Sequence, residues 1–200
     1  WPEMFAYPYL LNNGFNLYKD VALPYQPLLP LILANVYKIF GYNLSTLQIF
    51  TWLLIMLTDV LIFLISLKVL GKKFVSLLPL ILFIPLQTFS DGNMLWFDLA
   101  TVPFILFGIF LFIYLDGLEK YFWLGAFLSA AFFIKQQTGI SILFLTILLL
   151  YKRCFRELLF VLLGSLPFFL FVAFYIVFNG IVYDYIFWTV IVPVYWYPKF

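Results

Sequence analysis

Residues 158–178 run for 21 positions without one charged side chain. At about 1.5 Å of helix rise per residue, such a run covers the roughly 30 Å hydrocarbon core of a bilayer. Residues 46–67 make a second run of 22 positions, interrupted only by Asp59, and residues 99–115 make a third. Hydrocarbon offers no hydrogen bonds, so runs of this kind must satisfy their backbone inside helices. Composition agrees: 66% of the 200 residues are apolar and only 10% are charged, against about 25% charged in ordinary soluble domains. That excludes a normal soluble enzyme and a disordered chain. A net charge of +2 also leaves no basic footprint for nucleic acid. The expectation is an all-α, polytopic transmembrane helical bundle whose first partner is the lipid bilayer.

The chain reads as part of a single domain in three stretches. Residues 1–45 are an outer loop in which 4–11 and 27–40 form short interfacial helices. Residues 46–178 hold the transmembrane helices, and 179–200 begin a further outer segment, rich in aromatics. The run at 74–89 contains Pro79 and Pro85, both expected to kink it. Residues 121–151 are different. This stretch of 31 residues is interrupted at its centre by Lys135-Gln136-Gln137-Thr138-Gly139. Each arm is too short for an ordinary span, so the stretch is expected to be a discontinuous helix or tight hairpin. Such breaks survive only where they face protein or a water-filled cavity. The chain starts at Trp1 and is read as a fragment whose first span lies upstream.

Lysine and arginine set the orientation. With 1–43 outside and the runs alternating, seven cations fall inside (Lys68, Lys72, Lys73, Lys120, Lys152, Arg153, Arg156). Four fall outside: Lys19, Lys38, Lys135 and Lys199. The excess fits the positive-inside rule. Glu3, Asp20, Asp91, Asp98, Lys135 and Asp184 then share the outer side.

One cysteine and no histidine exclude an internal disulfide, a zinc site and any mechanism built on Ser-His-Asp or Cys-His. No metal ligand set is assigned, although a hard cation held by carboxylates is allowed. Cys154 is read as an inert small residue. The outer acids are candidate functional groups, the alternative being solvated charges at loop ends. Asp59 lies mid-span, either on a polar pathway or paired with a neighbour. Lys135 is the one cation at a helix break. It either snorkels to the headgroups or meets a phosphate, with Gln136, Gln137 and Thr138 as neutral donors beside it.

An ordered pattern runs through these pieces. Glu3 opens the stretch Glu-Met-Phe-Ala-Tyr-Pro-Tyr-Leu-Leu-Asn-Asn-Gly. Tyr18-Lys19-Asp20 follows, then Pro24-Tyr25-Gln26-Pro27-Leu28, then Phe40-Gly41. Together they resemble the first outer loop of GT-C membrane glycosyltransferases, such as the protein O-mannosyltransferases and the aminoarabinose transferases of lipid A. Leu124-Gly125 through Ile134-Lys135-Gln136-Gln137 resembles that family's later break. The chain departs from the pattern in two places. Pro2-Glu3 stands where the family often has Asp-Glu, and Gln26-Pro27 stands where relatives have Pro-Pro or Lys-Pro.

The resemblance implies transfer of a monosaccharide from a polyprenyl-phosphate donor to a glycan, lipid or protein acceptor. It implies a prokaryotic plasma membrane with the active site on the outer face. Glu3 would be the base, unless the decisive acid lies upstream. Asp20 would be a second acid or acceptor ligand, and Lys135 or Lys19 would sit at the phosphate. Tyr18, Gln26, Asp91, Asp98 and Gln136 would complete the substrate-binding set. No cofactor beyond the lipid-linked sugar is expected. A transporter or lipid-carrier flippase is the alternative, and a non-catalytic membrane scaffold is a third reading.

Overall fold

The computed structural model describes residues 2–89 and 94–195, giving only the backbone at 88 and 89. Asp91 and Lys199 lie outside the described residues. The architecture is an all-α bundle, and the described residues form no β-sheet. Helices α1 (Glu3–Asn12) and α2 (Leu28–Phe40) precede the first long helix, α3 (Leu44–Leu70). Then come α4 (Lys73–Phe89), α5 (Phe97–Tyr114), α6 (Glu119–Ile134), α7 (Gly139–Tyr151) and α8 (Phe155–Phe178). The described residues end with α9 (Val182–Ile186), a π-helical turn (Phe187–Ile191) and α10 (Val192–Tyr195).

Among the described residues, three helices are long and apolar enough to cross a membrane: α3, α5 and α8. Helices α2 and α4 are apolar but shorter, as is the segment from Gln136 to Tyr151. Large apolar side chains stand exposed along these helices, among them Trp52, Phe74, Phe144 and Phe174. A soluble monomer does not leave such faces bare, so the bundle belongs in lipid. The α4 helix continues through Pro79 and Pro85 without interruption.

Caps define the α3 boundaries more widely than hydropathy does. The Asn43 side chain accepts a hydrogen bond from the Thr46 amide at 2.8 Å, which starts the helix ahead of the apolar run. At the other end Gly71 adopts a left-handed φ of 70°, and its amide donates to the Leu67 carbonyl at 3.0 Å, a usual way to stop a helix.

The bundle is ordered around α6, which packs most extensively against α8 on one side and α5 on the other. Helix α3 lies against α5 and α4, while α7 touches α6 and α8 more lightly. Small residues bring α6 and α8 together. A Cβ on Gly164 would fall 1.9 Å from the Phe122 carbonyl oxygen, and one on Gly125 would fall 2.2 Å from that of Val161. Close backbone approach of this kind is how helices associate where lipid removes the hydrophobic drive. The Ser165 hydroxyl donates within its own helix to the Val161 carbonyl at 2.8 Å and reaches the Gly125 carbonyl at 3.3 Å.

The two ends of the bundle differ in charge. At one end Lys68 lies over the Tyr114 ring, 5.1 Å from its centroid, and the Tyr114 hydroxyl donates to the Leu64 carbonyl at 3.1 Å. The turns after α3, α5 and α7 meet here. The opposite end is capped by the N-terminal helices and loop. Its core joins Met4, Leu17, Tyr18, Leu23 and Leu29 to Phe97, Phe133, Ile134, Ile176 and Ile181.

Candidate functional site

The functional candidates gather at the loop-covered end. After α1 the chain makes a tight turn in which the Asn16 amide donates to Asp20 Oδ2 at 2.8 Å. The Asp20 amide returns a bond to the Asn16 carbonyl at 3.0 Å. This closure points Lys19 and Asp20 to solvent and drives Tyr18 inward, with a left-handed φ of 71°. Tyr18 is 2% exposed. Its hydroxyl donates to the Tyr25 carbonyl at 2.9 Å, and its ring meets Tyr185 edge-on at 5.2 Å. Burial, followed by the neighbouring phenols Tyr185 and Tyr175, pushes the Tyr18 phenol well above its ordinary range, so it stays a neutral donor.

Gln26, 3% exposed, is held from across the fold, its Oε1 accepting from the Tyr185 hydroxyl at 2.7 Å. Burial also raises the Tyr185 phenol, offset in part by hydrogen bonding with Gln26 and Thr189. Beside Gln26, the Tyr25 ring stacks on Phe97 at 4.2 Å. The loop is thereby tied to the first turn of α5, where Asp98 sits near the helix N-terminus, favourable ground for a negative charge.

The helix break completes the group. Helix α6 ends when Lys135 takes an extended conformation, φ −143° and ψ 119°. A 3-10 turn, Gln136–Thr138, then leads into α7. The freed Lys135 carbonyl accepts from the Thr138 hydroxyl at 2.8 Å and from the Thr138 amide at 3.1 Å, so the break is satisfied internally. Gln136 Nε2 donates to the Pro24 carbonyl at 2.8 Å, while its Oε1 is buried without a partner. Lys135 Nζ forms an ion pair with Asp98 Oδ1, the lysine side chain largely covered and the aspartate open to solvent.

Of the residues expected to act together, the fold therefore unites Tyr18, Gln26, Asp98, Lys135 and Gln136. Glu3 and Asp20 belong to the same N-terminal region, but among the described residues neither is bonded to Lys135. Glu3 lies in the first turn of α1, half-buried, with Oε2 enclosed and unpartnered. Its helix is pinned to the far end of α2. The Tyr37 hydroxyl donates to the Met4 carbonyl at 3.3 Å, and the Tyr42 hydroxyl donates to the Phe5 carbonyl.

Cavities open between the helices. One of about 590 Å³ lies between α2 and α3, lined by Val36, Phe40, Thr46, Phe50 and Leu53 among others. Smaller ones of about 210 and 250 Å³ sit against α5 and α7. None of the three is lined by Glu3, Asp20, Asp98 or Lys135. No three Cys, Asp or Glu side chains converge on a metal position among the described residues.

Sequence reasoning missed Tyr185 and the Asp98–Lys135 pair. The only signal for the first was the density of aromatics after 181. Compared with family models, with curated proteins and with solved structures, the chain matches none of them.

Proposed function

We propose that this chain carries part of a membrane glycosyltransferase site that moves a monosaccharide from a polyprenyl-phosphate donor to an acceptor on the outer membrane face. The observation that carries the reading is the bond from Gln136 to the Pro24 carbonyl. It joins the N-terminal loop to the interrupted lysine helix at the end opposite the basic turns. A donor lipid lies in the bilayer with its phosphate at the interface, where this end would meet it. The apolar cavity between α2 and α3 supports the reading by offering room for an isoprenoid chain.

In the proposed reaction Glu3 takes the proton of the acceptor hydroxyl as general base. The acceptor oxygen bonds to the anomeric carbon, the bond from that carbon to the phosphate oxygen breaks, and polyprenyl phosphate leaves. Lys135 stabilises the charge that builds on the leaving phosphate. Since Lys135 is paired with Asp98, the donor phosphate must share or displace that carboxylate. Asp20 holds the acceptor, and Tyr18 and Gln26 shape the wall between loop and helices.

The experiment is transfer of labelled sugar from a polyprenyl-phosphate donor by the full-length protein in vesicles. Glu3→Gln is expected to lower kcat by about 10²–10⁴, the usual worth of a general base, and Asp20→Asn to raise the acceptor KM. Wild-type transfer by both variants would overturn the assignment. The competing transport reading draws on Asp59, whose Oδ1 is buried and unpartnered in α3. Accumulation of free substrate in the vesicles, without transfer of label, would favour it instead.

A further inference from the structure

The end of the bundle away from the loop holds Lys68, Lys72, Lys73, Lys120, Lys152, Arg153 and Arg156 against only Asp116, Glu119 and Glu157. Lys68 and Lys120 rest over aromatic rings. The turn between α7 and α8 concentrates three of the others within five positions. Its backbone is closed by amides of Lys152, Arg153 and Cys154, which donate to the carbonyls of Leu148, Leu150 and Leu149 at 3.0, 3.0 and 2.9 Å. Arg153 adopts a left-handed φ of 56°. The closed turn leaves Lys152, Arg153 and Arg156 exposed, and among the described residues no acid pairs with any of them. Glu157, the nearest acid in sequence, lies beside Tyr121 of α6. The residues flanking the turn are apolar and bare: Tyr151 is 86% exposed and Phe155 62%.

A second observation lies above this turn. An open groove of about 250 Å³ runs between α7 and α8, lined by Phe132, Gly139, Ile142, Leu143, Thr146 and Phe169. Thr146 precedes Lys152 by six residues and Phe169 follows Arg156 by thirteen. At helical rise Thr146 lies about 9 Å along its helix from the turn, within the roughly 15 Å of hydrocarbon in one leaflet, whereas Gly139 and Phe169 lie about 20 Å from it, so the near part of the groove is the part that acyl chains of the adjoining leaflet reach. An unpaired cationic turn at headgroup level, with an apolar groove at chain level, has the two chemistries of one amphiphile.

We propose that the α7–α8 turn and the groove above it bind one anionic phospholipid of the adjoining leaflet. Lys152, Arg153 and Arg156 hold the headgroup phosphate, and one acyl chain lies in the groove. A zwitterionic lipid brings its own ammonium to the same three cations and binds less well.

The test uses full-length protein released from nanodiscs containing equal parts phosphatidylglycerol and phosphatidylcholine, with retained lipids counted by native mass spectrometry. Wild type is expected to keep one phosphatidylglycerol in at least about tenfold preference. Attraction of about fivefold per surface cation predicts that Lys152→Gln with Arg153→Asn and Arg156→Gln removes that preference. Asn is chosen at 153 because it tolerates the left-handed backbone. Lys68→Gln with Lys72→Gln and Lys73→Gln removes equal charge elsewhere and is expected to retain the preference. Thr146→Trp fills the groove without touching charge and is expected to reduce retention several-fold, with an unchanged thermal midpoint showing that the fold survives. Equal retention of both lipids by wild type, equal loss in the two triple variants, or full retention in Thr146→Trp would each overturn the site.

Discussion

Replacing Gly164 by alanine tests the packing that places the break. The new Cβ would sit 1.9 Å from the Phe122 carbonyl oxygen and 3.0 Å from the Ala126 amide nitrogen. Both atoms are helix backbone, so neither can rotate away. Restoring an ordinary contact requires α6 and α8 to part by about 1.5 Å, where a gap of 0.5–1 Å already forfeits a quarter to a half of each dispersion contact. Overpacking of this kind costs about 1–3 kcal/mol. The Ser165 reach to the Gly125 carbonyl, 3.3 Å in the native packing, would be lost as well, adding about 1 kcal/mol. Near 3 kcal/mol, the thermal midpoint should fall by about 6–12 °C. Gly71→Ala is the control. Nothing lies within 4 Å of its Cβ position and its only burden is a φ of +70°, worth about 1 kcal/mol. Thermal unfolding of both variants in the same nanodiscs gives the comparison. If Gly164→Ala melts no lower than Gly71→Ala, the close α6–α8 approach is not what holds the bundle.

Three further outcomes follow from the loop-covered end. Tyr185→Phe strands the buried Gln26 carbonyl oxygen and should cost about 1–3 kcal/mol, while adding Gln26→Leu should restore part of it, since removing both partners is milder than removing one; urea unfolding reads both. Tyr18 has a folded pKa raised above its unfolded value, so its contribution to stability is complete below about pH 10 and is lost as pH rises through the folded value. Denaturation midpoints from pH 8 to 12 should be flat and then fall, with a weaker alkaline fall in Tyr18→Phe. Asp98→Asn frees Lys135, and with exposed pairs worth up to about 1 kcal/mol the donor KM in the transfer assay should drop by up to about fivefold; an unchanged or raised KM would remove Lys135 from the phosphate position.

The elements that sequence reasoning found are those carried by local signals. Long apolar runs announced α3, α5 and α8, the first despite Asp59 within it. Polar residues inside an apolar stretch announced the break at Lys135, because an unbroken span has no use for Lys-Gln-Gln-Thr-Gly. Helix ends were less legible: α3 begins at Leu44 because Asn43 caps it, a signal outside the apolar run. The site was legible only as a list of residue types. Lys135 and Asp98 lie 37 positions apart, and Tyr185 and Gln26 lie 159 apart. No spacing rule links such pairs, since the fold joins them by helix order. Gly125 and Gly164 carry no chemistry of their own, and their role emerges only once α6 and α8 are seen in contact.

Sidedness is tested most directly by labelling single cysteines with a membrane-impermeant maleimide in sealed cells, on a Cys154→Ser background. Lys19→Cys reports the N-terminal loop, Gln137→Cys the helix break and Arg153→Cys the basic end. The account predicts that the first two label from outside without permeabilisation and that the third labels only after it. Labelling of Lys19→Cys and Gln137→Cys from opposite sides would contradict it.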